Sequence, residues 1–178
     1  MIIVQESKNA VCENCSFSKT FKTASNDFLM LRPSNKDKVQ FRHLFNALLS
    51  NTIEDYRCEE CNYVAKYSKK FSYSYKFNKF IVLKLNTVWN NRYTSLEITH
   101  FNPDNFEIPL CSEEIKWKIK AVIFFEPICK DYLTVSGHYI CAVRDRLGWI
   151  EISDNSISEP KKLRNNLKNA YLIFLERL

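Results

Sequence analysis

Ser136-Gly-His-Tyr-Ile-Cys-Ala-Val-Arg144, followed shortly by Trp149-Ile-Glu-Ile-Ser-Asp154, is the stretch on which the reading of this chain turns. Only two glycines occur among the 178 residues, and both lie here, Gly137 beside His138 and Gly148 before Trp149. Glycine next to histidine at the mouth of a strand implies a backbone with something packed close against it. The apolar run Tyr139 to Val143 reads as a strand that holds the imidazole. Gly148 then turns the chain into a second strand, Trp149 to Ile152, which ends in Ser153 and Asp154. Two such neighbours bring a histidine near a short polar partner, the base-and-orienter half of a nucleophilic site. The nucleophile is the piece still required.

The chain is long enough for one large domain with a core. Its 46% hydrophobic and 14% aromatic content describe a globular protein, and two glycines with five prolines exclude a linker or low-complexity chain. No apolar run reaches membrane-spanning length. The opening Met1-Ile-Ile-Val-Gln-Glu-Ser-Lys8 lacks the charged leader and apolar region of a secretory signal. The expectation is a cytoplasmic or nuclear chain, with its seven cysteines reduced or metal-bound.

A formal net charge of +6 raises the question of a nucleic-acid partner. The basic stretch from Lys66 to Lys79 interleaves with Phe71, Tyr73, Tyr75 and Phe77, as a stacking platform would. Those aromatics also recur at period two, which places them on one face of an amphipathic strand. The strand is the reading taken, and neither nucleic acid nor membrane is expected as a partner.

Phe41, Leu44, Phe45, Leu48 and Leu49 fall at helical spacing and predict a helix from about Val39 to Asn51. Strands are predicted at 28–32, 63–67, 71–77, 80–85, 117–125, 139–143, 149–152 and 171–175. Loops are predicted at 86–93, 102–105 and 127–136, with a turn or short helix at 165–169. The class is α+β with a dominant antiparallel sheet.

Cys12-Glu-Asn-Cys15 and Cys58-Glu-Glu-Cys61 are two Cys-x-x-Cys knuckles with 42 residues between them. Two residues between cysteines let one tight turn present both thiolates to a single ion, and zinc takes four such ligands in a tetrahedron. The expectation is one structural Zn²⁺ held by Cys12, Cys15, Cys58 and Cys61. Four thiolates close its coordination sphere, so this zinc is not catalytic. Cys111 and Cys141 read as small buried hydrophobes, and Cys129 has no clear assignment.

Taken in order, these features resemble the ubiquitin-specific proteases, cysteine peptidases that remove ubiquitin. Cys12 and Cys15 resemble the first finger knuckle, Phe28-Leu-Met-Leu31 the strand after it, and Phe41 to Leu49 the next helix. Tyr56-Arg-Cys-Glu-Glu-Cys61 resembles the second knuckle, and Phe80-Ile-Val-Leu-Lys-Leu85 a buried strand of the family. Ser136-Gly-His-Tyr139 is similar to the histidine box, and Tyr171-Leu-Ile-Phe-Leu-Glu-Arg177 to the terminal strand. The chain departs from the family at Asn86-Thr-Val88, where Lys-Arg-Phe is usual, and at Phe125-Glu-Pro127, where His-x-Gly is usual.

The resemblance implies a papain-like palm with zinc-braced fingers. The fingers would span about residues 8–70 and the palm about 71–178, in one partial catalytic domain. The helical thumb and cysteine box lie upstream of the first finger in the family, so the expectation is a chain without its nucleophile. His138 matches the general base, Ser153 the third catalytic position, and Asp154 the aspartate beside it. Resemblance favours Ser153 as the partner of the imidazole, and electrostatics favours Asp154. His43 and His100 carry no such context. The implied function is thiol-dependent isopeptide cleavage of ubiquitin from proteins. The alternative is an inactive ubiquitin-binding scaffold, and a ubiquitin-like modifier such as SUMO stays open as the substrate.

Overall fold

The computed structural model describes residues 5–22, 27–31, 38–45, 52–53, 57–64, 69–70, 72–76, 79–89, 92–93, 96–99, 102–108, 115–128, 136–159, 163 and 167–178. In chain order the strands are β1 (Gln5–Val11), β2 (Ser18–Lys22), β3 (Leu29–Leu31), β4 (Lys38–Gln40), β5 (Thr52–Ile53), β6 (Lys69–Lys70), β7 (Ser72–Lys76), β8 (Phe80–Leu85) and β9 (Val88–Trp89). They continue as β10 (Arg92–Tyr93), β11 (Glu97–Thr99), β12 (Phe106–Glu107), β13 (Lys116–Pro127), β14 (Gly137–Asp145), β15 (Gly148–Ser153), β16 (Ser156–Ser158) and β17 (Ala170–Arg177).

Eight of them form one sheet in the order β16-β15-β14-β13-β17-β8-β3, with β12 paired to β13 off that path. All its pairings are antiparallel except β3 with β8. Strand alternation gives this sheet one dry face. Leu29 and Leu31, Ile81, Leu83 and Leu85, Ile173 and Leu175, Trp117 and Ile119, and Val122 and Phe124 are all buried there. The spacing of the last four breaks strict alternation, and a register irregularity between Ile119 and Ala121 accounts for it. One extra residue at that point returns Val122 and Phe124 to the side already occupied by Trp117 and Ile119. Phe41, Leu44, Phe45, Leu96, Ile98 and Ile108 belong to the same buried cluster and close the dry face.

The expected helix over 39–51 is corrected. Val39 lies in β4, which pairs in parallel with β11 in the register Val39↔Ile98. Both side chains are buried, a setting in which a β-branched residue favours strand. A single 3-10 turn, Phe41–Phe45, follows. That turn satisfies the apolar spacing, with Phe41 and Phe45 edge to face at 5.4 Å between centroids; residues 46–51 lie outside the described residues. The α+β expectation is corrected accordingly, because helix is nearly absent among the described residues. The loop expected over 86–93 contains a two-stranded pair, β9 with β10. Of the strand expected at 63–67, Arg57 and Val64 form an isolated bridge, and 65–68 lie outside the described residues.

A separate three-stranded sheet, β2-β1-β7, carries the first Cys-x-x-Cys turn at the β1–β2 connection. Tyr73 and Tyr75 of the basic aromatic stretch lie in β7, which pairs with β1.

Candidate functional site

The four knuckle cysteines converge. Their sulfurs all lie within 4.8 Å of one another, with Cys12 to Cys61 and Cys15 to Cys58 each at 3.7 Å. A tetrahedral ion with Zn–S bonds of about 2.3 Å places its sulfurs about 3.8 Å apart, so the spacing fits zinc.

The two turns are built alike. Cys12 N–H donates to Phe17 O at 2.7 Å and Ser16 N–H to Cys12 O at 2.9 Å; Cys58 N–H donates to Tyr63 O at 2.9 Å and Asn62 N–H to Cys58 O at 3.0 Å. Ser16 and Asn62, each just after the second cysteine of its turn, hold left-handed φ values of 59° and 58°. An exposed ion pair between Lys19 and Glu59 also joins the two halves.

The electrostatics call for a cation. The backbone N–H of Cys15 is the main influence that lowers the Cys12 thiol to about 6. The Asn14 amide and then the Tyr63 N–H lower Cys61. At Cys15 the Phe17 N–H also favours the thiolate, yet desolvation and the three neighbouring sulfurs push that thiol up to about 12. Four thiolates at this spacing need a positive ion at their centre, and a divalent metal supplies it.

At the other candidate site, β13 and β14 pair with Phe125↔Tyr139, Glu126↔His138 and Pro127↔Gly137. Gly137 is required sterically. A Cβ there would stand 2.6 Å from Cε2 of Phe125 and closer still to its Cζ. The Phe125 ring, 7% exposed, packs against Tyr139 at 5.0 Å, which in turn meets Tyr171 at 5.6 Å. This aromatic row lies on the outer face and fixes the strand end from behind. His138, Ile140 and Ala142 alternate onto the inner face, while Tyr139 and Cys141 take the outer one.

Gly148, with a φ of 139°, closes the β14–β15 hairpin. The register Ala142↔Glu151 puts Ser153 on the same face as His138. His138 Nε2 lies 2.9 Å from Ser153 Oγ and 3.6 Å from Asp154 Oδ2. Asp154 sits at the tip of the β15–β16 hairpin with φ 48°. Its side chain is 80% exposed against 37% for His138, so water screens the carboxylate and the contact contributes little. Both partners address Nε2, and no polar partner is recorded for Nδ1 among the described residues.

Four of the five described cysteines form the metal cluster, and the fifth, Cys141, points to the outer face where burial pushes its thiol up. Cys111, Cys129 and His100 lie outside the described residues, and His43 is exposed. Phe125 carries no polar signal and enters the sequence reading only as the end of the strand predicted at 117–125 and the first residue of the departure Phe125-Glu-Pro127. Its proximity to Gly137 could have been inferred only from the strand register.

No family model matches the chain, and no curated protein matches its sequence. Solved structures do. A chain of the SAGA Ubp8/Sgf11/Sus1/Sgf73 DUB module bound to ubiquitin aldehyde aligns with a TM-score of 0.76 and 20% identity, over 98% of this chain and 41% of that one. The same module bound to monoubiquitin gives 0.75 and 20%, over 98% and 40%. The yeast module with a variant Sgf73 gives 0.75 and 19%, over 98% and 41%. The fold is therefore ubiquitin-specific-protease-like, and the chain spans about two fifths of the length of the chains it matches.

Proposed function

We propose that this chain is the fingers-and-palm part of a ubiquitin-specific-protease-type thiol hydrolase, with ubiquitin as its partner. The observation that carries the proposal is the 2.9 Å contact between His138 Nε2 and Ser153 Oγ, on a fold shared with deubiquitinase modules bound to ubiquitin. With Nε2 protonated and donating to Ser153, the lone pair of Nδ1 is the basic one. His138 would take the proton of an attacking thiol there and return it to the leaving lysine amine. Ser153 acts as orienter. It holds the ring without the charge that would stabilise an imidazolium, and Asp154 supplies a screened part of that charge.

Zinc fits the cluster of Cys12, Cys15, Cys58 and Cys61, where it would lock the two turns to each other and so contribute folding energy. A thiol-rich metal cluster also fits a reducing compartment, the cytoplasm or the nucleus.

The second reading, a ubiquitin-binding module without activity, is favoured by one observation: no described cysteine faces His138. A ubiquitin C-terminal electrophilic probe separates the two readings. Covalent labelling that depends on His138, in protein carrying a thiol opposite Nδ1, supports the hydrolase. Tight binding of the probe with no adduct in any such protein supports the scaffold.

A further inference from the structure

The far end of the same sheet holds a cleft that neither reading uses. It has a volume of about 340 Å³ and is lined by Asp104, Lys118, Lys120, Arg144, Asp145 and Arg146. Arg144 is six residues along β14 from His138, a separation of about 20 Å at strand rise. A ligand in the cleft would leave the histidine end open.

The lining has four cations against two carboxylates, so it attracts negative charge. Some of that charge is already engaged. Arg144 pairs with Asp104, and Lys118 and Lys120 lie 3.2 and 3.7 Å from Glu176. Arg146 has no carboxylate partner among the described residues, and Asp145 accepts its backbone N–H at 2.6 Å. Beside it, Leu147 stands 99% exposed at the hairpin tip.

The two carboxylates decide the class of ligand. A phosphodiester backbone or a lipid phosphate presents only acceptors here, and the lone pairs of Asp104 and Asp145 that Arg144 and the Arg146 N–H leave open would face it without a donor. A peptide presents side-chain carboxylates to the cations and backbone N–H donors to the two aspartates. Leu147 adds an apolar contact at the rim. We infer that this cleft is a docking site for an acidic peptide segment of a partner protein, separate from the His138 end of the sheet.

The test is fluorescence anisotropy of a short, labelled, glutamate-rich peptide with a central leucine, titrated with the 178-residue chain. Expected are saturable binding that weakens as salt rises and a loss of about fivefold or more on Arg146→Glu, as for a charge at an interface. Leu147→Ser should weaken binding by a smaller factor. Lys168→Glu, the same kind of charge change on the exposed turn before β17, should leave it unchanged. Circular dichroism showing that Arg146→Glu is folded keeps the comparison valid, and Lys120→Glu replaces it if it is not. The inference is overturned if Lys168→Glu weakens binding as much as the cleft variants do. It is equally overturned if binding is absent, or if duplex DNA or phosphatidylserine vesicles bind more tightly than the peptide with the same dependence on Arg146. None of these outcomes depends on ubiquitin binding or hydrolysis.

Discussion

His138 and Ser153 meet through one ring nitrogen, Nε2, at 2.9 Å, which leaves Nδ1 without a polar partner among the described residues. Ser153→Ala removes the acceptor and should cost about 1 kcal/mol of stability, as for a typical hydrogen bond. It should also let the imidazole sample both tautomers, read from ring-nitrogen chemical shifts. Asp154→Ala should leave stability unchanged and the tautomer fixed, because its carboxylate is 80% exposed. In a catalytically competent protein, His138→Ala should reduce turnover by about 10²–10⁴, and Ser153→Ala by much less.

Phe125 and Gly137 form the brace behind that histidine. Gly137→Ala drives a methyl into the Phe125 ring and should destabilise by about 1–3 kcal/mol, the usual cost of overpacking. Phe125→Leu removes the ring contact but leaves the Glu126 carbonyl oxygen 2.5 Å from the new Cβ, so the double variant should recover only part of the loss. A double-mutant cycle by urea unfolding checks the coupling.

These outer-face contacts mark how far the sequence could be read. The strand from Tyr139 to Val143 was legible because its apolar residues run between two glycines. Its true extent, Gly137–Asp145, was not, since the added residues are held by cross-strand hydrogen bonds rather than by burial. The hairpin that returns Ser153 to His138 was legible from Gly148. That both Ser153 and Asp154 address Nε2 was not, because it depends on how the β15–β16 turn is folded. Strand β1 is largely polar and forms by pairing with β2 and β7, which no local pattern announces. The helix over 39–51 failed for a related reason. Val39 is claimed by a parallel partner, Ile98, that lies far away in sequence.

The cysteine cluster predicts one zinc per folded chain. Elemental analysis of purified protein should find it in stoichiometric amount, and Cys58→Ser should lose it along with thermal stability. A chelator should destabilise the native chain and leave Cys58→Ser unaffected. Stoichiometric disulfides in place of metal would contradict this.

Acid should act on Glu176. The Lys118 hydrogen bond first, then Lys79 and the nearby ammonium charges, hold its carboxyl below the usual range against desolvation. A carboxyl depressed by folding contributes stability above its unfolded pKa of about 4.3 and loses it as pH falls through the lower folded value. The stability difference between the native chain and Glu176→Gln should therefore be constant above that range and shrink below it. Urea unfolding at a series of pH values measures the trend.

Because no described cysteine faces Nδ1, none of Cys12, Cys15, Cys58, Cys61 and Cys141 should form an adduct with a ubiquitin C-terminal electrophile. An adduct mapped by mass spectrometry to Cys111, Cys129 or Cys141 would place the nucleophile elsewhere than the fold suggests.

Titration of isotopically labelled ubiquitin with the zinc-loaded chain, followed by NMR, asks whether this fold holds ubiquitin. Expected are saturable shifts that include ubiquitin's C-terminal tail, persist in His138→Ala, and disappear when Cys58→Ser abolishes the metal. A folded, zinc-loaded chain that leaves every ubiquitin resonance unmoved at high concentration would contradict that expectation.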